Sequence, residues 1–280
     1  MVGYEVVNMF AERIFGGASL AVVPEAGRLS TSDMMAISRE LNTPETAFVL
    51  APTIEPADYR VRIFTPAGES PFGGHSAVGT AVTLVRNGIL PAGEVVQQCG
   101  ERLMRLHATA DTGTLSLRDP LRAGPCDIAV LTAAAGVSAE NVSVESTDTA
   151  GFGPAFHFLP VCAGAEKGAV ADLDVFAAKD IPDVMVFSWD GSTASARLFA
   201  PGYSMPDDPA CAPAALGLGV WLVRAGMLST SDGTHAFMIR QGGDRIGVLS
   251  GRVEVVAGEA VAASVTGSVL PVIRGEISIG

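Results

Sequence analysis

Three short stretches of this chain carry residues suited to moving a proton. PFGGHSAVGT, Pro71 to Thr80, sets two glycines and a histidine where a strand gives way to a helix. Glycine lets main-chain N–H groups turn into a concavity, and a helix N-terminus adds about half a positive charge. Gly73, Gly74 and Ser76 could therefore seat an anion such as a carboxylate or phosphate, with His75 beside it. The same residues also suit a tight connection in which His75 packs on the surface. PETAFV holds Glu45 directly after a proline, and PDDPACAP holds Asp208 shortly before Cys211 and Ala212. Taken singly, Glu45 reads as a solvated loop carboxylate and Asp208 as an acid answering a helix macrodipole.

The elements around these residues predict how they are placed. YEVVNMF alternates apolar and polar residues as a strand does, and ASLAVVPEAG reads as a strand ending in a turn. In LSTSDMMAISRELNTPETAFVL, Ser30 or Thr31 can cap a helix, Asp33 falls in its first turn, and Leu29 can pack on Met34. That helix should stop near Asn42, because Pro44 biases Thr43 away from helical geometry. Extended chain then resumes at Glu45. Strand YRVRIFTP leads into the glycine turn, and a helix follows from about Ser76 to Asn87.

The second half repeats this plan. SARLFAPGYSMPDDPACAPAALGLGVWLVRAGML reads as strand, loop and helix, closing on Arg224 and Gly226. At one constant offset, close to half the chain, Arg62 meets Arg197, Phe64 meets Phe199, Pro66 meets Pro201 and Pro71 meets Pro206. We read this as an internal duplication. Two such halves would bring their loop–helix junctions to one cleft, a preferred place for a small-molecule site. LRDPLRAGPCD, Leu117 to Asp127, has the Pro and Gly content of a connector.

Composition narrows the partners. The chain has 280 residues, 48% of them hydrophobic, so two medium cores are within its means. Its net charge of −12 leaves no basic stripe to neutralise phosphates, so no nucleic acid is expected. Cys99, Cys126, Cys162 and Cys211 are scattered without a CxxC pair, which predicts neither a zinc site nor a redox motif. The longest apolar run, Pro209 to Val223, is interrupted by proline and glycine and suits a buried helix better than a membrane span. The first residues, MVGYEVVNMF, lack a basic leader segment. Together these features predict a cytoplasmic protein with no membrane partner.

ELNTPETAFVL, VRIFTPAGESPFGGHSAVGTA and RLFAPGYSMPDDPA, in that order, resemble the phenazine-biosynthesis PhzF family of isomerases, which shares the diaminopimelate epimerase fold. The resemblance implies an α+β fold of two pseudo-symmetric halves, each a curled barrel-like β-sheet around a central α-helix. It places the active site between the halves. On this reading residues 1–118 form the first half and 119–270 the second, with the strand 271–280 a candidate to return to the first. The resemblance assigns catalytic roles to Glu45, His75 and Asp208, and substrate-binding roles to Gly73, Gly74, Ser76, Cys211 and Ala212. No metal, flavin or nucleotide is required. The expected partner is a small-molecule carboxylate substrate, and members of the family are commonly homodimers.

A carboxylate withdrawn from water holds its proton more firmly, so one glutamate can both take and return a proton near neutral pH. Glu45 is thus expected to shift a proton between carbons, with Asp208 and His75 holding the substrate. The racemising branch of the fold resembles a two-base machine with a cysteine in each half's glycine loop. Here Gly73 stands in the first loop, and Cys211 occupies the position of the family's threonine, so epimerisation is disfavoured. Other departures bear on the substrate. Gly17-Ala18-Ser19 stands where the family usually reads GNP, and Pro44 where a serine often precedes the glutamate. Cys211-Ala212-Pro213 replaces T-G-S, and proline has no N–H to donate. The favoured expectation is an unsaturated amino or imino acid of antibiotic assembly, as in alkylproline pathways. The alternatives are the phenazine step on trans-2,3-dihydro-3-hydroxyanthranilate, and an inactive ligand-binding or interaction protein on the same scaffold.

Overall fold

The computed structural model describes residues 1–70, 74–121 and 124–279, and for Gly74 and His75 the main chain alone. Within it the chain divides into two units, Met1–Leu115 with Thr266–Gly280, and Ser116–Val265. Each is built from a curled β-sheet and a buried helix.

The first unit contains β1 (Val2–Met9), β2 (Ala18–Val23), β3 (Glu45–Leu50), β4 (Tyr59–Thr65), β5 (Gly68–Ser70), β6 (Gly93–Cys99), β7 (Arg102–Ala108) and β8 (Thr112–Arg118), with helices α1 (Thr31–Leu41) and α2 (Gly74–Arg86). Helix α1 starts where its sequence predicts. The Ser30 hydroxyl accepts from the Asp33 N–H, the Asp33 carboxylate accepts from the Ser30 N–H, and Asn42 ends the helix in the left-handed region. Leu29, Met34 and Ile37 then pack with Phe48 and Phe64 on the sheet. Antiparallel β1–β2, parallel β2–β3, antiparallel β3–β4 and parallel β4–β6 carry the sheet round to the β6–β7–β8 meander. Against it packs α2, whose Ala77, Val78, Ala81, Val82 and Leu84 are fully buried. Thr80 and Thr83 are buried there too, their hydroxyls donating to the carbonyls one turn earlier, Ser76 and Gly79.

The second unit holds β9 (Pro125–Cys126), β10 (Thr147–Gly151), β11 (Ala155–Pro160), β12 (Val184–Trp189), β13 (Thr193–Ala200), β14 (Met205–Asp208), β15 (Gly233–Gln241) and β16 (Gly247–Val256), with α3 (Ile128–Ala134), α4 (Leu173–Lys179) and α5 (Ala212–Arg224). The pairing order repeats: parallel β11–β12, antiparallel β12–β13, antiparallel β13–β14 and parallel β13–β15 mirror β2–β3, β3–β4, β4–β5 and β4–β6. Every residue of α5 from Ala212 to Val223 is buried, which suits a helix apolar on all sides. Trp221 stands on its inner turn against Phe187, with ring centroids 5.3 Å apart and edge to face, and its indole N–H donates to Thr147 Oγ1 at 3.2 Å. Helices α3 and α4 cover the other sheet face through Leu131, Phe176, Val184, Val186 and Phe199.

The last strand, β17 (Glu259–Ile277), returns to the first unit, where it runs antiparallel to β1 and also pairs with β8. The eight strands β17, β1, β2, β3, β4, β6, β7 and β8 thereby close into a ring.

The two central helices are fastened alike at their C-termini. Arg86 ends α2 and donates to the buried Glu5 at 2.6 Å, and Arg224 ends α5 and donates to Asp148 at 3.2 Å. A cation at this end also suits the helix macrodipole. These anchors fix the C-terminal end of each helix.

Candidate active site

Glu45 opens β3, and its carboxylate residue is 5% exposed rather than solvated. The turn that delivers it is set locally: Asn42 ends α1, and the buried Thr43 hydroxyl donates to the Glu45 carbonyl at 2.8 Å. Parallel pairing then sets Glu45 beside Leu20. In the same unit α2 begins at Gly74, two residues before Ser76. Ser76 is fully buried, and its hydroxyl has no hydrogen-bond partner among the described residues. Pro71, Phe72 and Gly73, and the side chain of His75, lie outside the described residues.

The hairpin leading to that loop is braced by Arg62. Its guanidinium makes a two-pronged pair with Glu69, Nε at 2.7 Å and Nη2 at 2.6 Å, and lies over the Phe64 ring at 5.1 Å. Hydrogen bonding from Arg62 holds the Glu69 carboxyl below the usual carboxylate range. The second unit repeats the device. Arg197 reaches Asp207 through Nε at 3.3 Å and Nη2 at 2.8 Å and lies 5.2 Å over Phe199. The matched Arg and Phe positions of the sequence are thus one structural brace used twice.

Asp208 ends β14, directly after the braced Asp207, and is 2% exposed. Its Oδ1 accepts from the Ala210 N–H at 2.9 Å, and its main-chain carbonyl accepts from Gln241 Nε2 at 2.7 Å. Cys211 follows as the N-cap of α5 without a side-chain cap bond, and Ala212 and Pro213 fill the first helical positions. Burial, reinforced by the neighbouring Asp208 carboxylate, pushes the Cys211 thiol well above its ordinary value, so it is a neutral thiol at physiological pH.

Asp183 and His157, which sequence reasoning passed over, also lie in this unit. Asp183 is fully buried, accepts the His157 N–H at 2.8 Å and sits 3.4 Å from its ring Nδ1. Burial raises the Asp183 carboxyl above the usual range, with the His157 hydrogen bonds opposing. Nothing in DVMVF flags it. Gln241 was missed as well, although a Gln-Gly-Gly at a strand end is a signal of close main-chain approach.

The structure thus groups Asp208, Cys211 and Ala212 at the start of α5, and places Glu45 and Ser76 in the other unit. Each unit holds a carboxylate withdrawn from water, Glu45 in the first and Asp208 in the second, a group suited to general acid–base work. Among the described residues no three His, Cys, Asp or Glu side chains group as a metal site, and no helix is long and apolar enough to cross a membrane.

Comparison with known proteins agrees over nearly the whole chain. A protein-family model described as phenazine biosynthesis-like protein, PhzC-PhzF, matches residues 7–275. The trans-2,3-dihydro-3-hydroxyanthranilate isomerase of Pseudomonas aeruginosa is 30% identical over 79% of this chain and 80% of its own. An uncharacterized isomerase of Pasteurella multocida is 44% identical, but the match spans only 34% of this chain and 32% of that relative. Among solved structures, the Bacillus anthracis phenazine biosynthesis protein of the PhzF family superposes with a TM-score of 0.86 over 99% of both chains, at 19% identity.

Proposed function

This chain belongs to the phenazine biosynthesis-like PhzC-PhzF family, and from that premise we propose that it is an isomerase moving a proton between carbons of an unsaturated amino- or imino-acid-type carboxylate. The observation that carries the reading is the burial of Glu45 and Asp208, each at a position where its local sequence alone favours a solvated acid.

Glu45 acts as the base. Its carboxylate takes a proton from a carbon next to the substrate's double bond, the C–H electrons shift the double bond, and the same carboxyl returns the proton to the carbon at the far end. Nothing is oxidised or reduced, and substrate and product have the same atoms. Asp208 and His75 hold the substrate's amino or hydroxyl group, and Gly73, Gly74 and Ser76 receive its carboxylate with their N–H and O–H donors. The buried Ser76 hydroxyl, without a partner among the described residues, has a donor to give. General acid–base catalysis supplies roughly 100- to 10,000-fold, and positioning of the substrate the remainder.

The start of α5 favours a substrate other than the phenazine precursor. Pro213 removes one main-chain donor, and Cys211 caps nothing with its side chain. The competing reading, that trans-2,3-dihydro-3-hydroxyanthranilate is itself the substrate, is favoured by the relatives of that name. Incubating the protein with that compound in heavy water, and separately with unsaturated cyclic imino acids, tests both. Deuterium appearing at carbon in an imino acid alone supports the first reading, and deuterium in the anthranilate precursor supports the second. No exchange into any of them, with binding retained, would make the chain a ligand-binding protein instead.

A further inference from the structure

We propose that Gln241 is a positioning residue for Asp208, holding the main chain of the second half's acid in register through a buried amide clamp. The inference rests on the reading that Asp208 touches the substrate.

Gln241 is the last residue of β15 and is fully buried. Its side chain crosses 33 residues of sequence to donate from Nε2 to the Asp208 carbonyl at 2.7 Å. A carbonyl oxygen only accepts, so the amide nitrogen must face it. The amide oxygen is left buried without a hydrogen-bond partner among the described residues. A methionine would fill much the same volume with no such penalty, so what this position gains from glutamine is the one donor. The donor lands on the residue whose Oδ1 is itself held by the Ala210 N–H. Carbonyl and carboxylate of Asp208 are therefore each held by a hydrogen bond, which leaves its peptide little freedom to swing.

The end of the β15–β16 hairpin is cut back to let this happen. Gly242 has φ of +114°, and a Cβ there would lie 2.1 Å from the Arg245 carbonyl oxygen and 3.1 Å from Pro209 Cα. Gly247, directly opposite Gln241, would place a Cβ 2.5 Å from the Pro209 carbonyl oxygen and 2.6 Å from Ala210 Cβ. The main chain of Asp208, Pro209 and Ala210 thus lies on the hairpin end at a distance only glycine permits. The first half is built differently. Gln241 pairs with Ala196 in β13, while at the matching place in β4 Val61 pairs with Cys99. There a thiol, a weak donor, stands in place of the amide side chain.

Two variants remove the donor while keeping the site filled: Gln241→Met, which keeps the length and volume of the side chain, and Gln241→Leu, which stays apolar with a shorter one. The first readout needs no substrate. Alkylation of Cys211, followed by peptide mass mapping, reports whether the Asp208–Cys211 segment stays closed. We expect labelling about tenfold faster in both variants, with unchanged near-ultraviolet circular dichroism. The second readout is turnover of whichever compound exchanges deuterium: kcat should fall about tenfold while KM stays within about threefold, the pattern of a lost positioning contact. Either variant, folded, with wild-type Cys211 protection and wild-type kcat overturns the proposal. Should the Met variant fail to fold, the Leu variant decides alone. If the wild-type protein turns over nothing, the functional reading falls while Cys211 labelling still decides the clamp.

Discussion

The fully buried carboxylate of Asp183 accepts the main-chain N–H of His157 at 2.8 Å and lies 3.4 Å from its ring nitrogen, with its second oxygen unpartnered among the described residues. A charge so enclosed, with one neighbour to answer it, favours its neutral form.

That relationship predicts a pH signature. Burial raises the folded-state value of Asp183 above that of the unfolded chain, so the folded protein keeps a proton the unfolded chain has released. Its contribution to stability is fully present below the ordinary carboxylate range and is lost as pH climbs through the raised value. Asp183→Asn cannot titrate. The difference in Tm, variant minus wild type, should therefore become more positive as pH rises above the ordinary carboxylate range, as scanning calorimetry would read. A difference that stays flat or falls would show that the charged form is well accommodated.

The brace at Arg62 predicts the opposite slope. Glu69 is held below its ordinary value by Arg62, so the pair's stabilisation is present above that ordinary value and disappears as pH drops through the depressed one. Both groups are partly solvated, which limits the effect to about 1 kcal/mol or less. Arg62→Met should lower Tm at neutral pH and close the gap in acid. A gap independent of pH would assign the loss to stacking on Phe64 instead.

Glu45→Gln tests the base. The substitution keeps size and burial but removes the group that takes the proton, so kcat should drop by roughly 100- to 10,000-fold. Tm should change little, since the main-chain contacts of Thr43 and β2 are untouched. Turnover surviving in a folded variant would remove Glu45 from the mechanism.

Pro213→Ala restores a main-chain N–H in the first turn of α5. If the missing donor is what turns the site away from the phenazine precursor, KM for trans-2,3-dihydro-3-hydroxyanthranilate should fall about tenfold. Stability should change by less than about 1 kcal/mol, because proline is comfortable at this place in a helix. An unaltered KM would mean that substrate choice is made elsewhere.

The local signals in this chain were strong enough to be read directly. Ser30 with Asp33, Asn42 with Pro44, and the matched Arg62–Phe64 and Arg197–Phe199 pairs all act within a few residues, through capping, steric limits on φ and ψ, and strand alternation. The motifs around Glu45, Gly74 and Asp208 carried the family and with it the α+β fold class. What those signals could not contain was burial. Whether Glu45 and Asp208 stand in water depends on which strands and helices close over them, and pairing partners are chosen by the whole core rather than by neighbours in sequence. Asp183 with His157, and Gln241 with Asp208, are joined across 26 and 33 residues. Such bonds exist only after the sheet has curled, because a buried polar group finds its partner wherever the folded chain happens to bring one, and only the tertiary structure says where that is.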